Sequence, residues 1–262
     1  MPDLRILTWN STGEDAAKAL ELDNECQAIA AAYPLQPDVD VFLIQEAQQA
    51  PGGAISAYLN GLAGYTVHHI QENLGGGGKG YICATRNAVV TVNNPIQLWD
   101  YAADPEFTLS AARNVITPGC WTPPARTPAY TVITVGGASI LLFTWHAPLG
   151  ASMLNIIVGA MKGGGLIDAY IAFENSQILN NPQNFLGFIP QFIIIAGDMN
   201  ATSAALAKNY YNYTPLDDFL GVSNHLDHIM AYSPHHTAFN VDQDRAAATT
   251  SIHDTLCARM HW

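Results

Sequence analysis

Four apolar runs in this sequence stop on side chains able to bind a cation or move a proton. "LRILTWN" ends on Asn10, "DVFLIQEA" reaches Gln45 and Glu46, "SILLFTWHAP" reaches His146, and "FIIIAGDMN" ends on Asp198 and Asn200. These are the types that phosphodiester hydrolysis requires. A hard divalent cation takes oxygen ligands, so Glu46 is a candidate ligand, and amides such as Asn10 or Asn200 can hold a ligand, water or phosphate oxygen without adding negative charge. A general base must take a proton from water, and an acid or electrophile must assist the leaving oxygen. His146 and the tail histidine of "SIHD", His253, suit those tasks near neutral pH. An imidazole so used needs a carboxylate to fix its tautomer, and Asp198 and Asp227 are available. Taken singly, each residue also reads as the start of a loop or a helix cap, and His146 as a hydrogen-bonded core histidine. It is their joint occurrence that points to chemistry.

Side chains from separate runs converge only if a rigid scaffold aligns the strand ends. Short β-branched or aromatic runs bounded by Gly, Pro and Asn recur along the chain: "LRILTW", "DVFLIQ", "YICATR", "AYTVITV", "SILLFTW", "FIIIAG" and "LDHIMAY". They read as strands, several buried on both faces. "YTVITVGGASILLFTW" reads as a hairpin turning on Gly136-Gly137. "DAAKALELDNECQAIAAAY" predicts a helix with Ala17, Leu20, Ile29 and Ala30 as its apolar positions, ending before Pro34. "MLNIIVGAMKGGGLIDAYIAFENSQI" predicts a second helical region interrupted by Gly163-Gly164-Gly165. Strands and helices alternate without a regular period, which predicts a layered α/β domain with paired sheets. No long linker or repeat divides the chain, so residues 1–262 read as one domain. "NLGGGGKGY" is the one low-complexity patch and reads as a loop.

Composition narrows the substrate. Charged residues are 12% of 262, with 22 acidic against 10 basic and a formal net charge of −12. That excludes a generally basic nucleic-acid-binding surface, though not a nuclease in which a bound cation or a few arginines offset phosphate charge. Cys26, Cys83, Cys120 and Cys257 show no C-x-x-C spacing, which argues against a zinc ribbon or thioredoxin-like motif. The longest apolar stretches are too short to span a bilayer, so no integral membrane association is expected. No export signal is visible at the start, which fits a cytoplasmic protein or a mature exported form.

The ordered series Trp9-Asn10, "IQEA" with Glu46, "ARTPA" with Arg126, "TWHAP" with His146, "AGDMN" with Asp198 and Asn200, "LDHIM" with Asp227 and "SIH" with His253 resembles the endonuclease/exonuclease/phosphatase superfamily, whose type member is deoxyribonuclease I. The resemblance covers nearly the whole chain. Within the superfamily, "TWNSTG" followed by "VFLIQEAQQAPGGAIS" is most similar to the B subunit of cytolethal distending toxins. The broad resemblance implies a four-layer α-β-β-α sandwich with two packed mixed β-sheets. It implies Glu46 as ligand of Mg²⁺, or of Mn²⁺ or Ca²⁺, with Asn10 beside it. Asp198 and Asn200 would position phosphate and water, His253 with Asp227 would activate the water, and His146 would stabilise the transition state or protonate the leaving oxygen. Arg126 matches an arginine that contacts substrate phosphate, and Arg86 sits where relatives often carry another; a solvated strand end is an equal reading of Arg86. The narrower resemblance implies a secreted genotoxic DNA endonuclease acting in a host nucleus with carrier subunits. A phosphoinositide or sphingolipid phosphohydrolase is the alternative, because one catalytic set serves all of these. A domain that only binds is disfavoured by the retained side chains.

Two positions depart from the family pattern. Ile252 stands where the tail signature Ser-Asp-His has its aspartate, and Asp254, one residue past His253, faces the other way in an extended segment. Lys79 falls near the place of a glutamate that orients the histidine matching His146, and an ammonium has no acceptor for that role.

Overall fold

The computed structural model describes residues 2–48, 52–71, 79–99, 128–147, 178, 181–200, 220–224, 226–246, 253 and 255–262. Among these, two mixed sheets pack face to face. The first has the spatial order β12 (Asn240–Ala246), β13 (Leu256–His261), β1 (Asp3–Asn10), β2 (Val41–Gln48), β4 (Lys79–Arg86) and β3 (Tyr65–Gln71). The second runs β10 (Leu220–Asn224), β11 (Asp227–Tyr232), β9 (Phe192–Asp198), β8 (Ala138–His146), β7 (Ala129–Val135) and β5 (Val90–Val92), with β6 (Gln97–Leu98) also pairing with β7. Each sheet holds one parallel pair, β1 with β2 and β8 with β9, among antiparallel neighbours. Both parallel pairs end their strands at the same edge of the sandwich, and that edge is where Asn10, Glu46, His146 and Asp198 lie.

Alternation along the strands explains the layers. Leu4 and Ile6, Val41 and Leu43, Ile140 and Leu142, Ile194 and Ala196, and Leu256 and Ala258 fill the space between the sheets. The intervening side chains face outward. Leu7, Trp9, Phe42 and Ile44 pack under the helices α1 (Ala16–Ala32) and α2 (Ala54–Gly61), which present Leu22, Ile29, Ile55 and Leu59. On the other side Leu141, Phe143, Ile193 and Ile195 lie against Ile178 and against Phe185 and Leu186 of the short helix α3 (Pro182–Leu186). Full burial of each such side chain stabilises the fold by about 1.5–3 kcal/mol, so double-sided strands explain the apolar runs of the sequence. The result is the α-β-β-α sandwich that the family resemblance implies.

α1 starts where Asp15 accepts a hydrogen bond from the Lys18 amide at 2.9 Å. Its buried face differs from the expected one: Leu22, Glu25 and Ile29 are buried, whereas Leu20 is 60% exposed. Glu25 is tolerated there because Arg245 of β12 donates to it at 2.6 Å. The hairpin on Gly136-Gly137 forms as expected, with Val135 paired to Ala138. The second helical region falls outside the described residues apart from Ile178.

The C-terminal segment is the main departure. "LCARMH" is a strand inserted between β12 and β1 and antiparallel to both, pairing Leu256 with Thr8 and His261 with Asp3. Cys26, Cys83 and Cys257 carry free thiols. Among the described residues no helix is long and apolar enough to cross a membrane.

Candidate active site

The space between the sheets changes character toward the edge that holds the strand ends. Above the apolar layer, Gln45 is fully buried and its amide nitrogen lies 3.0 Å from the hydroxyls of both Thr8 and Thr144, joining the two sheets. Two residues beyond Thr8 and Thr144 come Asn10 and His146, beside Asp198 at the end of β9 and Asp227 at the start of β11, all buried. A buried polar layer of this kind is stable only when its groups satisfy one another.

Two backbone irregularities aim the carboxylates. Alternation from Gln45 would send Glu46 outward under the helices, but the register of β2 against β4 shifts between Ile44 and Ala47. Glu46 takes φ 56°, and Ala47 returns to the outer cluster with Ile44. The bulge therefore turns Glu46 to the site, a known use of bulges at functional positions. At Gly197, φ is 149° and an added Cβ would lie 2.0 Å from the Trp145 carbonyl oxygen. Only glycine lets β9 approach β8 so closely just before Asp198.

Asp198 is the centre of the group. Its Oδ2 accepts from Asn10 Nδ2 at 2.8 Å and lies 3.7 Å from His146 Nε2 and 3.4 Å from His253 Nδ1. Its Oδ1 accepts from the Asn200 amide at 2.8 Å. Glu46 Oε1 stands 3.4 Å from the same His146 nitrogen, so that imidazole lies between two carboxylates. Asp227, the cross-strand partner of Asp198, places Oδ2 3.7 Å from His253 Nδ1. His253 reaches this point because the chain enters β13 beside the end of β1, and Trp9 Nε1 donates to its carbonyl at 3.3 Å.

Burial pushes the Asp227 carboxyl up to about 6, with the nearby Asp198 charge acting the same way and hydrogen bonding to His253 acting against both. His253 is raised above the ordinary 6.5, first by its hydrogen bond to Asp227 and further by the charges of Asp198, Asp227 and Glu46, while burial opposes. With Nδ1 turned to the carboxylates, Nδ1 is the protonated nitrogen and Nε2 carries the lone pair.

The sequence matches the model of the endonuclease/exonuclease/phosphatase family over residues 7–249. The chain belongs to that family. Members of the endonuclease/exonuclease/phosphatase family are phosphoester hydrolases that typically use divalent metals. Three solved structures show the same fold. D. rerio TDP2 complexed with single-strand DNA product is 15% identical with a TM-score of 0.53, over 99% of each chain. The human Nocturnin catalytic domain with bound sulfate is 16% identical with a TM-score of 0.57, over 99% of this chain and 93% of that one. The Bacteroides thetaiotaomicron mannosyl-6-phosphatase is 13% identical with a TM-score of 0.56, over 99% and 100%. No curated protein gives a significant match to the sequence.

Of the residues singled out from the sequence, the structure brings together Asn10, Glu46, His146, Asp198, Asn200, Asp227 and His253. The Asn200 side chain donates to the Ala147 carbonyl at 2.6 Å and so ties the segment after β9 to the segment after β8. Arg86 is not among them. It lies at the opposite end of β4, where Nε and Nη2 donate to Asp40 at 2.9 and 2.6 Å and Nη1 pairs with Asp38. Arg126, Ser251, Ile252 and Asp254 lie outside the described residues. Sequence reasoning missed Tyr81, whose buried hydroxyl accepts from the His146 amide at 3.2 Å, and the Thr8–Gln45–Thr144 layer. Tyr81 shares the inward face of β4 with Cys83, a signal present in the alternation of "KGYICATR". It missed as well that Lys79 pairs with Glu46.

The donor set fits a hard divalent cation. Glu46 and Asn10 offer oxygen only, and among the described residues no group of three or more His, Cys, Asp or Glu side chains is arranged to hold a metal. Cations such as Mg²⁺ keep much of their water and bind through one or two carboxylates, so Glu46 with the Asn10 amide oxygen is a pair that could hold one.

Proposed function

We propose that the protein is a Mg²⁺-dependent phosphodiesterase whose substrate is DNA, cleaved as by an endonuclease. The observation that carries this reading is the sharing of the Asp198 carboxylate by two imidazoles, with Asp227 behind one and Glu46 beside the other. In this reading Glu46, with Asn10 at its side, holds the cation, which neutralises phosphate charge when bound. His253 takes a proton from the attacking water at Nε2, while Asp227 and Asp198 hold Nδ1 and stabilise the imidazolium that forms. His146 donates a hydrogen bond to the phosphate oxygens as charge develops on them, and Asn200 keeps the loop bearing Ala147 in place. Arg126 serves as a phosphate contact.

DNA is favoured by the stretches "TWNSTG" and "IQEAQQAP", the basis of the likeness to the toxin B subunit, and a neighbour in fold holds a single-strand DNA product. Export, and delivery by carrier subunits, belong to that likeness. The net charge of −12 favours a second reading, a small phosphorylated head group such as that of a phosphoinositide or sphingolipid.

Supercoiled plasmid, phosphatidylinositol trisphosphate and sphingomyelin, each incubated with Mg²⁺ and with the protein or its His146→Ala variant, separate these readings. Nicking or linearisation by the unaltered protein alone is expected. Lipid turnover with intact plasmid would sink the nuclease reading, and no His146-dependent turnover of any of the three would sink both.

A further inference from the structure

The carboxylate assigned above to the cation already has a cation beside it. Lys79 opens β4 with its side chain 49% exposed, and its ammonium is ion-paired with Glu46 Oε2. The other oxygen of the same carboxylate faces His146 Nε2 at 3.4 Å. The pair follows from the strand register. Gln48 is the partner of Lys79 and Ala47 of Gly80, immediately beyond the bulge that turns Glu46 into the site. Tyr81 lies two residues further along the same face of β4 and is anchored by the His146 amide, which fixes the inward face on which Lys79 begins.

An ammonium on a four-carbon stem is a compact, strongly hydrated charge that can leave a carboxylate without disturbing the backbone. A divalent cation bound at Glu46 must displace it or share the carboxylate with it against like-charge repulsion. We propose that Lys79 is a tethered competitor for the cation: it neutralises Glu46 when no metal is bound, swings into solvent when one arrives, and thereby sets the metal affinity of the site. The proposal rests on the reading of Glu46 as a metal ligand. It makes Lys79 a positioning residue that acts through Glu46, and it gives a consequence opposite in sign to the usual loss of function. Removing the lysine should strengthen metal binding. A lysine that instead contacts substrate phosphate would leave metal binding to the substrate-free protein unchanged.

The test measures binding without turnover. Mn²⁺ is titrated into the full chain at fixed ionic strength, with free Mn²⁺ followed by electron paramagnetic resonance, and the Mg²⁺-dependent rise in melting temperature is recorded alongside. Lys79→Met and Lys79→Gln are compared with Lys79→Arg, Glu46→Gln and the unaltered protein. Both neutral variants are expected to bind Mn²⁺ about 2- to 5-fold more tightly, the scale of one partly exposed ion pair removed. Lys79→Arg should stay near the unaltered protein, and Glu46→Gln should bind weakly. Unchanged or weaker binding in the neutral variants, with binding still dependent on Glu46, overturns the competitor role and leaves the metal reading standing. Binding indifferent to Glu46→Gln overturns both.

Discussion

Asp198 and Asp227 face each other as cross-strand partners on β9 and β11, both sealed from solvent, and between them they hold the Nδ1 atom of His253. Two buried carboxylates at that separation repel, and the proximity of an imidazolium is what offsets their repulsion. The arrangement gives His253 a raised affinity for protons and Asp227 a reluctance to ionise.

The first consequence concerns rate. A base that accepts a proton from water works as the neutral imidazole, and His253 is held above 6.5 by Asp227. The rate should therefore fall on the acid side with an apparent midpoint above 6.5, measured as kcat/KM against pH at saturating Mg²⁺. His253→Ala should lower kcat by roughly 10²-fold or more and abolish that limb. A variant that keeps both rate and limb would show that another group is the base.

The second concerns stability. Asp227 has a native value of about 6 against 3.8 for the free group. Between those values the native state holds a proton that the unfolded chain has released, so stability declines as pH rises through the window. His253, raised in the native state, contributes stability that is complete below 6.5 and is lost as pH rises through its native value, in the same direction. Asp227→Asn removes the first effect and weakens the second. Denaturant unfolding with chelator present should find that the variant gains on the unaltered protein by of order 2 kcal/mol between pH 4 and 7.5. Parallel stability curves would contradict this assignment of charge.

The third concerns Arg86. Its guanidinium compensates the fully buried Asp40, whose carboxyl is raised by burial, and it does so at the end of the sandwich away from His146. Arg86→Gln should cost about 2 kcal/mol of stability by leaving that carboxylate unpaired. Plasmid cleavage by the folded variant should stay within about twofold of the unaltered rate. A large rise in KM with normal stability would return Arg86 to the substrate path.

Strand runs that are buried on both faces carry their own signature, so β1, β2, β4, β7, β8, β9 and β11 were legible from composition alone. β12, "NVDQDRA", and β13 were not. Both mix charged and apolar residues, because Arg245 and Arg259 of these strands pair with Glu25 and Asp244 at a polar margin of the sheet. Leu20 misled the reading of α1 for a related reason: an apolar residue signals a buried face only where a neighbour covers it.

The amino-acid sequence by itself determined the chemical inventory: which carboxylates, amides and imidazoles end the buried strands, in what order, and hence the family. Only the tertiary structure decided how they are joined. The family resemblance paired His253 with Asp227, but folding β13 against β1 places its Nδ1 nearer still to Asp198, which also neighbours His146. Whether Glu46 faces the site depends on one bulge in β2, since in a pleated strand a single inserted residue exchanges the two faces. The same register placed Lys79 against Glu46, and it placed Arg86 at the opposite end of its strand. Those are properties of strand pairing between distant segments, and no local pattern of residues encodes them.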